Sequence, residues 1–230
     1  MAKEKKKRNN LTKIIVFLVL FGPGTVIVLM AFNQCENHFE GLPNFGEMPK
    51  YEFIDINGKT INNESQKDRI TVFHTLQTSC PRDCAIDLFK FNLILYQDLI
   101  ENRDIFRDVD IITIVTDNEG NVTEDLEVLE YTLNDILDNY DPTLWYLVTG
   151  DPKQVYDIEN NDINLYDAKV EDGYAGKAYL ETLLLVDKEN NLRLARRGNV
   201  EGYIRDFKQN VSLLNQTYKD LEKANKNEKK

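Results

Sequence analysis

The stretch Ile70-Thr71-Val72-Phe73-His74-Thr75-Leu76-Gln77-Thr78-Ser79-Cys80-Pro81-Arg82-Asp83-Cys84 decides how the chain folds. Ile70 to Leu76 is β-branched and apolar with polar interruptions, which reads as a strand. After Ala85, the residues Leu88, Phe91, Leu95 and Leu99 recur every three or four positions, a helical period with a broad apolar face. The two cysteines therefore fall where a strand hands over to a helix. Thiols at such a junction form a disulfide, exchange one with a partner, or bind a soft metal. A cysteine at a helix N-terminus meets unpaired backbone N–H groups and the positive end of the helix dipole, and both favour its thiolate. Arg82 adds to that effect and Asp83 opposes it. An inert structural disulfide is the bland alternative, because two cysteines this close oxidise readily outside the cytoplasm.

Working outward, Tyr51 to Ile56 reads as a strand, with Asn57-Gly58 as a hairpin turn into Thr60 and Ile61. Asp108 to Thr116 carries Val109, Ile111, Ile112, Ile114 and Val115, the near-continuous apolar run of a strand buried on both faces. Glu124, Leu126, Leu129 and Leu133 mark a second helix. Trp145 to Val148 reads as a short strand or sheet edge. Asp151 to Ile158 reads as a short helix with Asp151 as its cap and Pro152 at its first position. Thr182 to Val186 is another buried strand, turned by Asn190-Asn191 into Leu192 to Ala195. Gly202 to Leu221 closes the chain as a helix, with Ile204, Phe207, Val211 and Leu214 on one stripe. This order predicts an α/β fold, a mixed central sheet with helices on both faces. A cysteine pair between the first core strand and the first helix is the thioredoxin-like arrangement.

The N-terminal part is of another kind. Ile14 to Phe32 runs for 19 residues without a charge, close to the ~20 that a helix needs to span a bilayer. Lys3, Lys5, Lys6, Lys7, Arg8 and Lys13 precede it, so residues 1–13 are expected in the cytoplasm and the rest outside. A cleaved signal peptide would have a shorter apolar core and small residues at its cleavage site; Ala31 stands alone before bulky Phe32. A lipoprotein site at Cys35 would need small residues where Phe32 and Asn33 stand. The expected organisation is a basic segment (1–13), a transmembrane helix (14–32), a tether (33–48), one domain (49–217) and a charged tail (218–230). A formal net charge of −11 argues against nucleic-acid partners. Three cysteines in 230 residues are too few for a disulfide scaffold.

With these features together, the chain resembles the SCO/SenC family of membrane-anchored thioredoxin-like proteins. Tyr51-Glu52-Phe53-Ile54-Asp55-Ile56-Asn57-Gly58-Lys59 resembles the family's opening hairpin, and Thr78 to Cys84 its CPxxC segment. Ile111 to Asp117 resembles its central strand, and Trp145 with Thr149-Gly150-Asp151-Pro152 its W…TGDP segment. The resemblance covers about Tyr51 to Leu214. It implies an inner-membrane, single-pass protein whose domain faces the periplasm or an equivalent space. It also implies copper delivery or thiol maintenance in cytochrome c oxidase assembly, with an oxidase subunit or another thiol or copper protein as partner. Cys80 and Cys84 carry over as the metal-binding and redox-active pair. A thiol-disulfide oxidoreductase without copper and a non-catalytic interaction module are the alternatives.

One family ligand does not carry over. Family members bind copper with two cysteines and a histidine just before the late buried strand. Here that place reads Lys177-Ala178-Tyr179-Leu180-Glu181-Thr182, with Tyr179 nearest by alignment, and no histidine follows His74. Two thiolates alone suit Cu(I) better than Cu(II), which prefers further nitrogen or oxygen ligands. His74 is expected to be a core histidine rather than a substitute ligand. Cys35 and His38 read as tether residues, and Asp117, Glu119, Glu124 and Asp125 as a solvated loop.

Overall fold

In β1 (Glu52–Asp55) the buried Phe53 and Asp55 alternate with the exposed Glu52 and Ile54. β2 (Thr60–Asn62) returns antiparallel and buries Ile61. This hairpin opens the computed structural model, which describes residues 41–79, 82–137, 139–170 and 174–228, together with 16–17, 19, 21–22 and 24–25. The expected membrane span, 14–32, falls mostly outside the described residues. Among those described, no helix is long and apolar enough to cross a membrane.

β3 (Ile70–Gln77) and β4 (Val109–Thr116) are eight-residue strands, buried throughout and paired in parallel. β5 (Trp145–Thr149) runs parallel to β4 and antiparallel to β1. On the other side, β8 (Thr182–Val186) lies antiparallel to β3, and β9 (Leu192–Arg197) antiparallel to β8. The resulting mixed sheet has the order β2-β1-β5-β4-β3-β8-β9. Trp145 to Val148 is thus an interior strand; the edge alternative fails because β1 covers its outer side. β6 (Glu159–Asn160) and β7 (Ile163–Asn164) form a separate small hairpin.

α1 (Arg82–Phe91) passes through a π-helical turn, Asn92–Tyr96, into α2 (Gln97–Glu101). α3 (Glu127–Ile136) begins three residues after Glu124 and buries Leu129 and Leu133. α4 is shorter than expected (Lys153–Tyr156), with Pro152 at the cap position and not the first helical one; Asp151 Oδ1, two residues before the helix, still accepts the Lys153 N–H at 2.9 Å. α5 (Glu201–Glu228) buries Ile204, Phe207, Val211 and Leu214 and continues through residues 218–228, where Lys223 pairs with Asp220.

Strand alternation divides the core. Phe73, Ile112, Ile114, Val148 and Leu184 join Met48, Tyr51, Phe53, Tyr156 and Tyr179 in one apolar cluster. The neighbouring positions turn to the opposite face. There His74 and Trp145 pack on Phe91 of α1, and Tyr96 packs on Trp145. Burying a large apolar side chain of this kind contributes roughly 1.5–3 kcal/mol.

Residues 41–48, read from the sequence as the second half of a tether, lie along β9. Phe45 N–H donates to Leu192 O and Leu192 N–H to Gly46 O, each at 2.9 Å. Arg193 donates to the carbonyls of Pro43 and Leu42 and pairs with the buried Asp187 at 2.8 Å. Leu42 and Met48 are buried.

Candidate functional site

The end of β3 fixes the site. Thr78 N–H donates to Thr116 O at 2.8 Å, so the chain stays aligned with β4 for one residue beyond the strand. α1 then begins at Arg82, and Cys84 is its third residue. Cys80 and Pro81, and the side chains of Arg82, Asp83 and Cys84, lie outside the described residues. The backbone nonetheless places Cys84 in the first turn of α1, beside the C-terminal ends of two parallel strands. Helix N–H groups without intrahelical partners point toward that turn and favour anions there.

One turn further along α1, Asp87 and Leu88 line a cavity of about 20 Å3. Its other walls include His74 and Gln77 of β3, Tyr174 and Glu181. A ring of polar contacts closes around it. The Tyr174 hydroxyl donates to the Asp87 carboxylate, whose other oxygen pairs with Lys90 at 2.9 Å. Lys90 also donates to Asn199 O at 3.0 Å, and the Asn199 amide donates to Glu181 Oε2. Arg197 Nε stands 3.1 Å from Glu181 Oε1 as an ion pair. Of the wall's acceptors, Gln77 Oε1 is buried without a hydrogen-bond partner, whereas Glu181 Oε1 has the Arg197 ion pair but no hydrogen bond. Burial holds the Glu181 carboxyl above the usual carboxylate range; Arg197 and Asn199 pull it down and Asp87 pushes it up.

Neither candidate third ligand faces the cysteine turn freely. The His74 ring stacks on Phe91 at 4.5 Å and 4°, and its Nδ1 lies 3.3 Å from Thr113 Oγ1. Phe91 follows Cys84 by seven residues, roughly 10 Å along the helix axis. Burial pushes the imidazole pKa down to about 3, so the ring is neutral. His74 is a core histidine, as expected.

Tyr179 is fully buried between Tyr156 and Tyr166. Its hydroxyl donates to Gly120 O at 2.7 Å. Gly120 is at φ +77, and a Cβ there would stand 2.7 Å from that hydroxyl oxygen, so only glycine admits the contact. Burial raises the Tyr179 phenol, with smaller contributions from Tyr166, Asp151 and Asp117, and a neutral phenol is a poor metal ligand. Among the described residues, no group of three or more His, Cys, Asp and Glu is arranged around a metal position.

The remaining candidates divide in the same way. Asp117 is half-buried and accepts the backbone N–H groups of Glu119 and Asn121, so it shapes a turn. Cys35 and His38 lie outside the described residues. Glu181 and Gln77 are the residues that sequence reading passed over. Glu181 did leave a signal: it is the only ionisable carboxylate inside the otherwise apolar run Ala178 to Val186.

No family model matches the chain, and no curated protein matches it. Solved structures do. A SCO1/SenC family lipoprotein from Bacillus anthracis str. Ames aligns with a TM-score of 0.53 and 16% identity over 76% of this chain and 98% of its own. BsSco, described as a member of the Sco family of cytochrome c oxidase assembly proteins, aligns at 0.51 and 18% over 76% and 98%. Copper-bound ScoI from Arabidopsis thaliana aligns at 0.50 and 18% over 75% and 100%.

The domain is therefore a mixed α/β domain of the thioredoxin-like class. Within that class its fold is the one seen in SCO proteins.

Proposed function

We propose that this chain is a SCO-family protein that maintains thiols during respiratory oxidase assembly, acting through Cys80 and Cys84. The observation that carries this reading is the placement of the CPxxC segment between the end of β3 and the first turn of α1, while His74 and Tyr179 are both engaged elsewhere. Thiol chemistry needs only the two cysteines. Cys80 as thiolate attacks one sulfur of a partner disulfide, and the partner's other sulfur leaves with the electron pair. Cys84 as thiolate then displaces the partner from the mixed disulfide. Two electrons pass to the partner, which ends as a dithiol, and Cys80 and Cys84 end as a disulfide. The partner is an oxidase subunit or another thiol-bearing copper protein, met on the outer side of the cytoplasmic membrane, where the N-terminal segment anchors the chain.

Cu(I) as cargo is a second reading. Two soft thiolates suit it without a third ligand, and a copper-bound protein shares the fold. The missing histidine disfavours a stable Cu(II) centre.

The full-length chain in mild detergent separates the two readings. Reduced protein mixed with glutathione disulfide should form a mixed disulfide that Cys80→Ser abolishes and Cys84→Ser traps. Exchange no faster than that of a free dithiol would remove the thiol reading. Anaerobic Cu(I) titration should show one equivalent bound, lost in Cys80→Ser/Cys84→Ser; equal binding by both proteins would remove the copper reading.

A further inference from the structure

The helix that follows the cysteine segment leaves an apolar stripe uncovered. Ile86, Phe89 and Leu93 stand at i, i+3 and i+7 on one side of it and are 43%, 56% and 61% exposed. Leu93 belongs to the π-helical turn, whose other four residues, Asn92, Ile94, Leu95 and Tyr96, are all buried. Such turns are frequent at functional sites. α5 runs beside this stripe in the same direction. Lys90 donates to Asn199 O at 3.0 Å just before α5, and Lys208 of α5 reaches Asp98 at 3.3 Å. Those two cross-links are roughly 12 Å apart along the helix axis. A groove of about 400 Å3 lies between the two helices, lined by Leu93, Ile94, Arg205, Lys208, Gln209 and Ser212.

One wall of the groove is apolar and the other cationic. In a chain of net charge −11, no carboxylate among the described residues lines it. Arg205 is ion-paired with Glu201 of its own helix at 2.7 Å, and Lys208 with Asp98 at 3.3 Å. Solvated pairs of this kind contribute little, so both cations are free to turn to a carboxylate that arrives with apolar contacts. We propose that the groove is a docking site for an amphipathic helix of another protein, with an apolar stripe and carboxylates along its edge. Its apolar side chains pack beside Phe89 and Leu93, and its carboxylates meet Arg205 and Lys208, the helix-in-groove mode of recognition. The proposal goes beyond the thiol reading and stands without it.

The same features disfavour other occupants. A second copy related by a two-fold axis through the groove would set Arg205 and Lys208 against their own counterparts. Two copies of charge −11 each also repel. A bilayer surface is flat and does not follow a groove between two helices, and an anionic one repels an acidic chain. A helix seated in the groove lies along the element that carries Cys84 in its first turn.

The test uses the full-length chain in phosphatidylcholine nanodiscs, with empty discs as background. The probe is a fluorescein-labelled helical peptide of about four turns, with leucines at i, i+3 and i+7 and glutamates on both flanks. A second peptide has lysines in place of the glutamates. Fluorescence anisotropy should show the glutamate peptide bound to the parent about tenfold more tightly than the lysine peptide, with the difference shrinking as salt is added. Leu93→Glu and Arg205→Glu should each weaken the glutamate peptide by about tenfold. Both positions are exposed, so the urea midpoints should not move. No binding above the empty discs, equal binding by Leu93→Glu and the parent, or a lysine peptide bound as tightly as the glutamate one overturns the proposal. A dimer of the parent in sedimentation that Leu93→Glu dissociates also overturns it, because the groove then belongs to a second copy.

Discussion

The imidazole of His74 lies flat on the ring of Phe91, with 4.5 Å between centroids and 4° between planes. This contact joins the central strand to the helix that carries Cys84. It requires a neutral ring, and burial pushes the His74 pKa down to about 3, against about 6.5 in an unfolded chain. As pH falls below about 6.5, the unfolded state takes up a proton that the folded state refuses. The stability from His74 is therefore complete above that pH and is lost toward pH 3, by about 1.4 kcal/mol per unit. Urea unfolding at pH 7 and pH 5 should show this slope in the parent and a reduced slope in His74→Gln. An unchanged slope in the variant would assign the acid sensitivity to other groups.

Tyr179, the residue that sequence reading sets nearest to the expected place of a copper histidine, is locked among Tyr156 and Tyr166. Restoring the histidine by Tyr179→His should not restore Cu(II) binding. The variant should also lose about 1 kcal/mol or more, because the hydrogen bond to Gly120 O disappears and the tyrosine pocket is left underfilled. A strong Cu(II) absorption band in Tyr179→His would show that the segment re-forms around the metal.

Gly150 is at φ +149, and a Cβ there would lie 2.4 Å from Phe53 Cδ1. Phe53 is fully buried in β1, next to β5, and has little room to move. Gly150→Ala should therefore cost about 2 kcal/mol or more, read as a lower urea midpoint. A change below about 0.5 kcal/mol would mean that the β5–α4 turn is softer than its packing indicates.

Arg193 holds residues 42 and 43 by their carbonyls and is itself held by Asp187. Arg193→Ala should loosen residues 41–48 without unfolding the sheet. Cleavage by a broad-specificity protease between Leu42 and Met48 should rise by about tenfold, because local opening governs such cuts. Equal cleavage rates would place the restraint in the Phe45–Leu192 and Leu192–Gly46 hydrogen bonds alone.

Much of this fold is legible from local pattern. β3, β4 and β8 are apolar runs that only a covered sheet accommodates, and the spacing of Leu88, Phe91, Leu95 and Leu99 marks the face of α1 and its continuation. The strand-to-helix position of the cysteine segment follows from those two signals. What remained hidden depends on partners distant in sequence. Trp145 reads as a strand, but its interior place comes from β1 returning to pair with β5. The π-helical turn at Asn92–Tyr96 has no period of its own to announce it. Tyr179 and Glu181 are two residues apart, yet one enters the tyrosine cluster and the other the cavity wall. Composition does not distinguish them; the short 3-10 helix Ala178–Glu181 does.

The segment 41–48 has a further effect on the sheet it touches. β9 is the outermost strand on its side, and an outermost strand offers unpaired N–H and C=O groups to any extended chain that meets it. Phe45 and Gly46 already occupy Leu192 at the start of that strand, while Arg193 draws the preceding residues across it. At the far side the sheet ends in β2, only three residues long. The short stretch before β1 thus caps the start of the β9 edge, where another copy of the domain would otherwise begin to zip on, and acts there as a guard against aggregation.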